Sequence, residues 1–127
     1  MYVLTYRSLT HLSIYSVIYM DLTNKKCVPC EGGLSPLSKD EVAKLIKNID
    51  GWQADSASKS ITRKIKFKNF VKALDFVNKV GILAEEEGHH PDIEFGWGYC
   101  NIKLQTHSIG GLHQNDFIVA AKINQIA

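Results

Sequence analysis

The sequence predicts an α+β domain: one four-stranded antiparallel sheet with helices packed on one face, in the order α-β-β-α-β-β-α. Three observations predict it. Apolar residues recur at helical spacing in three segments. Between these segments run two pairs of short stretches in which apolar and polar residues alternate. Each pair is split by turn-forming residues, which argues for hairpins rather than crossovers. At 127 residues the chain has the length of one domain. A chain of that size buries roughly two-thirds of its unfolded surface, enough for a core without staples.

Two regions are expected: an N-terminal extension with a Cys/Gly/Pro loop over 1–36, and the folded domain over 37–127. Residues 1–19 are rich in Tyr, Ser, Thr and Leu, with one Arg and no acid. They are too often broken by polar residues for a membrane span or a secretory core. Organelle targeting by residues 1–19 is the alternative to a cytoplasmic location. Residues 21–37 read as loop, punctuated by Pro29, Gly32, Gly33 and Pro36. Cys27-Val28-Pro29-Cys30 is a lone C-x-x-C pair. It cannot complete a four-ligand zinc site, and the glycines after it offer no helix to activate a thiol. An odd count of three cysteines fits a reducing compartment.

Ser38 and Glu41 form a capping box, and Val42, Leu45, Ile46 and Ile49 give the first helix an apolar face that ends at Asp50-Gly51. Trp52-Gln-Ala-Asp is a short strand. Ile61, Arg63, Ile65 and Phe67 line one side of the next, with Arg63 expected to snorkel from the apolar face. Asn69 caps a second helix whose stripe is Phe70, Ala73, Leu74, Val77, Val80, Gly81 and Ala84. That helix ends in Glu85-Glu86-Glu87-Gly88. Three acids there oppose the helix dipole, a local rule broken in the way functional sites break it. Ile93 and Phe95 share a strand face, Gly96-Trp97-Gly98 turns the chain, and Cys100, Ile102, Leu104 and Thr106 alternate after it. His107 falls on the opposite parity or lies where the ladder ends. A third helix follows Gly110-Gly111, with Phe117, Ala120, Ala121 and Ile123 to Ile126 as apolar residues and Asp116 in its first turn.

The formal charge of +2 and the lack of a basic stripe argue against direct nucleic-acid binding. The chemistry concentrates between Glu85 and Asp116, which holds four of the five histidines. Scattered surface histidines are one reading. A metal site is another, but His89 and His90 are adjacent and point apart in an extended chain, and no chelating spacing is present. The third is metal-free acid/base chemistry, for which imidazole titrates near working pH and a neighbouring carboxylate orients each ring.

Glu85-x3-His89-His90-Pro91-x5-Trp97-x9-His107-x8-Asp116 resembles the signature of the pterin-4a-carbinolamine dehydratases. The similarity extends to Leu37-Ser38, Gly51-Trp52, the Ile61-to-Phe67 strand, Thr106-His107 and Gly111-Leu112. It covers about residues 37–126. The resemblance implies a hydro-lyase that dehydrates 4a-hydroxytetrahydropterin to quinonoid dihydropterin in tetrahydrobiopterin recycling, with no cofactor or metal. It implies His89, His90 and His107 as the catalytic set. His89 and His107 are then the acid/base pair, and His90 mainly holds the pterin. Glu85, His90, Pro91, Trp97, Thr106, Ser108 and Asp116 are the implied substrate-binding residues. A homodimer or homotetramer is implied as well. The alternative function is a non-catalytic binding or coactivator protein on the same fold. Two departures stand out. His113 replaces the usual Thr or Ser helix cap, which is expected to weaken the third helix start, and Gly88 puts no side chain beside His89.

Overall fold

The computed structural model describes residues 22–29 and 32–127. Its elements run α1 (Lys39–Ile46), β1 (Trp52–Ala54), β2 (Ile61–Lys66), α2 (Phe70–Glu87), β3 (Asp92–Gly96), β4 (Tyr99–Leu104), a 3-10 turn (His107–Ile109) and α3 (Gln114–Ile126). The expected order and the four-stranded antiparallel sheet are both present. The strands stand in the order β1-β2-β4-β3, so β2 and β4 are the central pair, in register from Ile61↔Leu104 to Lys66↔Tyr99. On β4 the alternation is complete: Cys100, Ile102 and Leu104 are buried, while the residues between them face outward. One face of the sheet therefore carries the core and the helices.

The helices begin where the capping residues dictate. Ser38 Oγ accepts the Glu41 N–H and Glu41 Oε1 accepts the Ser38 N–H, the reciprocal box that the sequence signals. The helix ends at Ile46, sooner than expected, but Ile49 stays buried in the turns that follow. Asn69 Oδ1 accepts the Lys72 N–H and starts α2. The buried face of α2 is Ala73, Phe76, Val80 and Ala84. This corrects the expected stripe: Phe76 belongs to it, and Leu74 and Phe70 lie on the solvent side. Counting apolar residues favoured a stripe through Leu74 because α2 is apolar on two faces.

α3 is buried nearly all round from Asn115 to Ala121, including Ile118 and Val119, so it is the central helix of the layer. His113 does cap it. Its Nδ1 accepts the Asn115 N–H at 3.0 Å, while Asp116 Oδ2 accepts the His113 N–H at 2.9 Å. An imidazole nitrogen replaces the usual hydroxyl, so the expected weak start is not found. Arg63 also does more than snorkel: its guanidinium and the Trp52 indole both donate to Asn124 Oδ1, tying the β1–β2 hairpin to α3.

Residues 22–29 contain one helical turn and otherwise run as loop. They pack onto the domain, with Leu22 buried in the shared core. The extension of residues 1–19, with the targeting alternative read from it, and Cys30 lie outside the described residues.

Candidate active site

Two backbone devices bring the histidines together. The first is the end of α2. Gly88 adopts φ +62°, a conformation that suits glycine, and closes the helix. The Gly88 N–H then reaches the Glu85 carbonyl and the His89 N–H reaches the Ala84 carbonyl, which is the Schellman arrangement. The missing side chain at 88 is what lets the chain turn there, and His89 is fixed as the next residue. The second device is a loop pinched between Thr106 and Gly111. The Thr106 N–H donates to the Gly111 carbonyl at 2.8 Å, and the 3-10 turn from His107 lies between them. Gly111 presses on the preceding segment so closely that a Cβ there would stand 2.6 Å from Pro36 Cβ. His107 therefore begins a tight turn just past the end of β4, the second of the two places its parity allowed.

These two ends meet at a pocket of about 470 Å³ lined by His89, His90, Thr106, His107 and Ser108, with Gln105, Glu87 and Gly88 beside them. His89 is the best-held ring. Its Nε2 lies 2.6 Å from Asp116 Oδ1, with the His89 side chain 13% exposed and Asp116 0%. Asp116 Oδ2 accepts the Thr106 hydroxyl at 2.7 Å and the His113 N–H at 2.9 Å. Three donors thus converge on one buried carboxylate, which fixes the orientation of the imidazole. Its Nδ1 is the nitrogen left for a molecule in the pocket.

The other two rings are held loosely. His90 Nε2 lies 2.9 Å from Glu85 Oε1, but these side chains are 60% and 80% exposed. His107 is exposed, with Gln105 Nε2 at 3.3 and 3.2 Å from its two ring nitrogens.

The remaining expected site residues divide. Thr106 and Ser108 line the pocket. Asp116 stands behind His89 rather than on the wall. Glu85 and Pro91 lie on a neighbouring groove between α2 and β3 that shares His90 with the pocket. Trp97, of the expected binding set, is 72% exposed and does not line this pocket. The register explains this. Asp92, next to the His89-His90-Pro91 corner, pairs with Lys103, whereas Trp97 sits in the turn at the other end of the same hairpin. Five strand residues separate the two ends, about 16 Å of chain.

Sequence reasoning missed Cys27, Val28 and Pro29, which line the pocket, and the residues that hold them. Glu87 Oε2 accepts the Cys27 N–H at 2.9 Å, and its other oxygen pairs with Lys122. Burial works to raise the Glu87 carboxyl, but the Cys27 N–H and the Lys122 ammonium outweigh it and hold the group below its ordinary 4.5. One available signal was the acidic end of α2. The acid opposed to the helix dipole is in place because it has partners outside the helix.

Residues 35–126 match the family model described as pterin 4 alpha carbinolamine dehydratase. A relative from Methylococcus capsulatus is 52% identical over 106 residues, covering 84% of this chain and 93% of its own. One from Rickettsia canadensis is 52% identical over 103 residues, covering 80% and 94%. Both bear the name pterin-4-alpha-carbinolamine dehydratase as a provisional assignment. The crystal structure titled transcriptional coactivator/pterin dehydratase from Brucella melitensis superposes with a TM-score of 0.69 at 33% identity, covering 73% of this chain and 99% of that one. The family match spans both arms of the pocket, the α2 end and the Thr106–Gly111 loop, and the α+β fold is shared. The chain belongs to the pterin-4-alpha-carbinolamine dehydratase family.

Proposed function

We propose that the chain is a hydro-lyase that converts 4a-hydroxytetrahydropterin to quinonoid dihydropterin and water, returning the pterin to the tetrahydrobiopterin cycle. The observation that carries this reading is the seating of His89 on buried Asp116 at a pocket that His90 and His107 also line. The substrate hydroxyl on C4a is a poor leaving group until it gains a proton. A ring-nitrogen lone pair expels it as water, and a ring N–H then gives up a proton to restore charge balance. Two imidazoles supply one donor and one acceptor at neutral pH. His89, with Nε2 engaged by Asp116, uses Nδ1. His107, at the open side, exchanges its proton with solvent between turnovers. His90, on the rim, binds the ring. Thr106 serves twice, as a wall residue and as a donor to Asp116. No step calls for a redox cofactor, and among the described residues no group of three or more His, Cys, Asp or Glu is placed to hold an ion.

The test is turnover of synthetic 4a-carbinolamine with the uncatalysed dehydration subtracted. Dehydration no faster than that background overturns the reading.

The same reading includes a homodimer or homotetramer in the cytoplasm. Val71, Leu74 and Ile82 lie exposed on α2, and the outer edges of β1 and β3 have no strand partner among the described residues. Light scattering that gives a monomer at micromolar concentration counts against it. Among the described residues no helix is long and apolar enough to cross a membrane. A non-catalytic partner-binding role is the second reading, favoured by the double title of the Brucella melitensis protein. A folded protein that captures a partner but leaves carbinolamine at its background rate would select it.

A further inference from the structure

The pocket has a wall that precedes the residues matched by the family model. The family match begins at residue 35, yet Cys27, Val28 and Pro29 line the pocket with the histidines. A stretch with so little regular structure owes its position to tertiary contacts, and three are present. Leu22 is buried in the core. Asn115, 2% exposed, treats the Val28 backbone as a strand neighbour would: its Oδ1 accepts the Val28 N–H at 3.1 Å and its Nδ2 donates to the Val28 carbonyl at 2.6 Å. Glu87 accepts the Cys27 N–H at 2.9 Å while it pairs with Lys122. Asn115 is not needed to cap α3, because His113 does that. Its amide is spent on the segment.

We infer that residues 22–29 form a substrate-binding wall, in which Cys27, Val28 and Pro29 pack against the ring system of a bicyclic pterin and Asn115 and Glu87 hold them in place. This rests on the dehydratase reading and adds a binding element to it. The wall has the character such a ring needs. Val28 and Pro29 are apolar. The thiol stays neutral: burial first, then the Glu87 carboxylate, push Cys27 up to about 12. Its Sγ lies 3.6 Å from the Asn115 carbonyl, so it too is positioned by α3. A neutral, polarizable surface packs on a flat heterocycle without competing for the protons that the histidines move. A wall that contacts the ring in ground state and transition state alike acts on KM rather than kcat.

The test compares the full chain with a C27G/V28G/P29G variant, which keeps the backbone groups that Asn115 and Glu87 hold. With synthetic 4a-carbinolamine, KM should rise about tenfold while kcat stays within about twofold. An unchanged KM in a folded variant overturns the wall. A second measurement does not depend on turnover. Iodoacetamide labelling of Cys27 in the wild-type chain, located by peptide mass spectrometry, should run at least tenfold slower than in urea. Saturating 7,8-dihydrobiopterin should slow it further. Labelling as fast as in urea, or no protection by the pterin, overturns the proposal. Protection of Cys27 in a chain that fails to dehydrate carbinolamine would sink the dehydratase reading and leave the wall standing.

Discussion

The end of α2 has an inner and an outer side, and they use the same residue types to opposite effect. On the inner side His89 meets Asp116, and Glu87 meets Lys122 and the Cys27 backbone. On the outer side His90 meets Glu85. Both histidines have a carboxylate within 3 Å. The difference is solvent. Asp116 is fully buried and accepts from three donors, so the geometry is over-determined. Glu85 and His90 are mostly exposed, where water competes for each partner and the pair is worth little. A His–carboxylate distance therefore does not identify a held ring. Burial and the number of donors on the carboxylate do.

The strongest way to break the comparison is to remove the inner anchor. Asp116→Ala leaves the Thr106 hydroxyl, the His113 N–H and the His89 ring without their acceptor in a buried place. Stability should fall by about 3–5 kcal/mol in urea unfolding, because the loss strands several polar groups at once. A loss under about 1 kcal/mol would mean that the inner side is no better built than the outer.

Replacing the rings separates holding from chemistry. His89→Ala and His107→Ala should each lower kcat by about 10²- to 10⁴-fold. Only the first should also destabilise the fold, since His107 has no buried partner. His90→Ala should act mainly through KM. Wild-type kcat in His107→Ala would remove that ring from the acid/base pair.

Glu87 sharpens the comparison through pH. Its carboxyl lies below its ordinary value in the folded chain, so the unfolded chain binds the proton more tightly. Its stabilisation is present above about 4.5, the unfolded value, and is lost as pH falls through the lower folded value. Glu87→Gln should therefore flatten the acid side of the stability curve. An acid limb that keeps its wild-type slope in Glu87→Gln would show that the pair with Lys122 is not maintained in solution.

Much of this was legible in the sequence. The Ser38–Glu41 capping box, the Asn69 cap and the two periodicities placed the first helices and the strands, and the spacing from Glu85 to Asp116 picked out the histidines that line the pocket. What was not legible has a common cause. The Cys27–Glu87 and Val28–Asn115 bonds join residues 60 and 87 positions apart, and no local pattern reports such pairs. Trp97 was placed in the site by its spacing in a motif, but hairpin register decides which end of a strand a residue occupies. Leu74 was assigned to the core because α2 offers two apolar faces, and periodicity cannot choose between them.

The smallest effect belongs to the outer pair and tests it directly. Glu85→Gln removes a charge from a helix C-terminus, where a negative group opposes the dipole. It also removes the partner of His90. Those two consequences have opposite signs and each amounts to a few tenths of a kcal/mol at an exposed site. Stability should therefore change by less than about 0.5 kcal/mol. KM should move by no more than about twofold if the Glu85 contact merely accompanies His90, a ring already free to rotate in water. A tenfold rise in KM on Glu85→Gln, at unchanged stability, would mean that the exposed carboxylate positions His90 for the substrate. The outer side would then be a second built arm of the site, and the contrast with Asp116 would be one of stability alone.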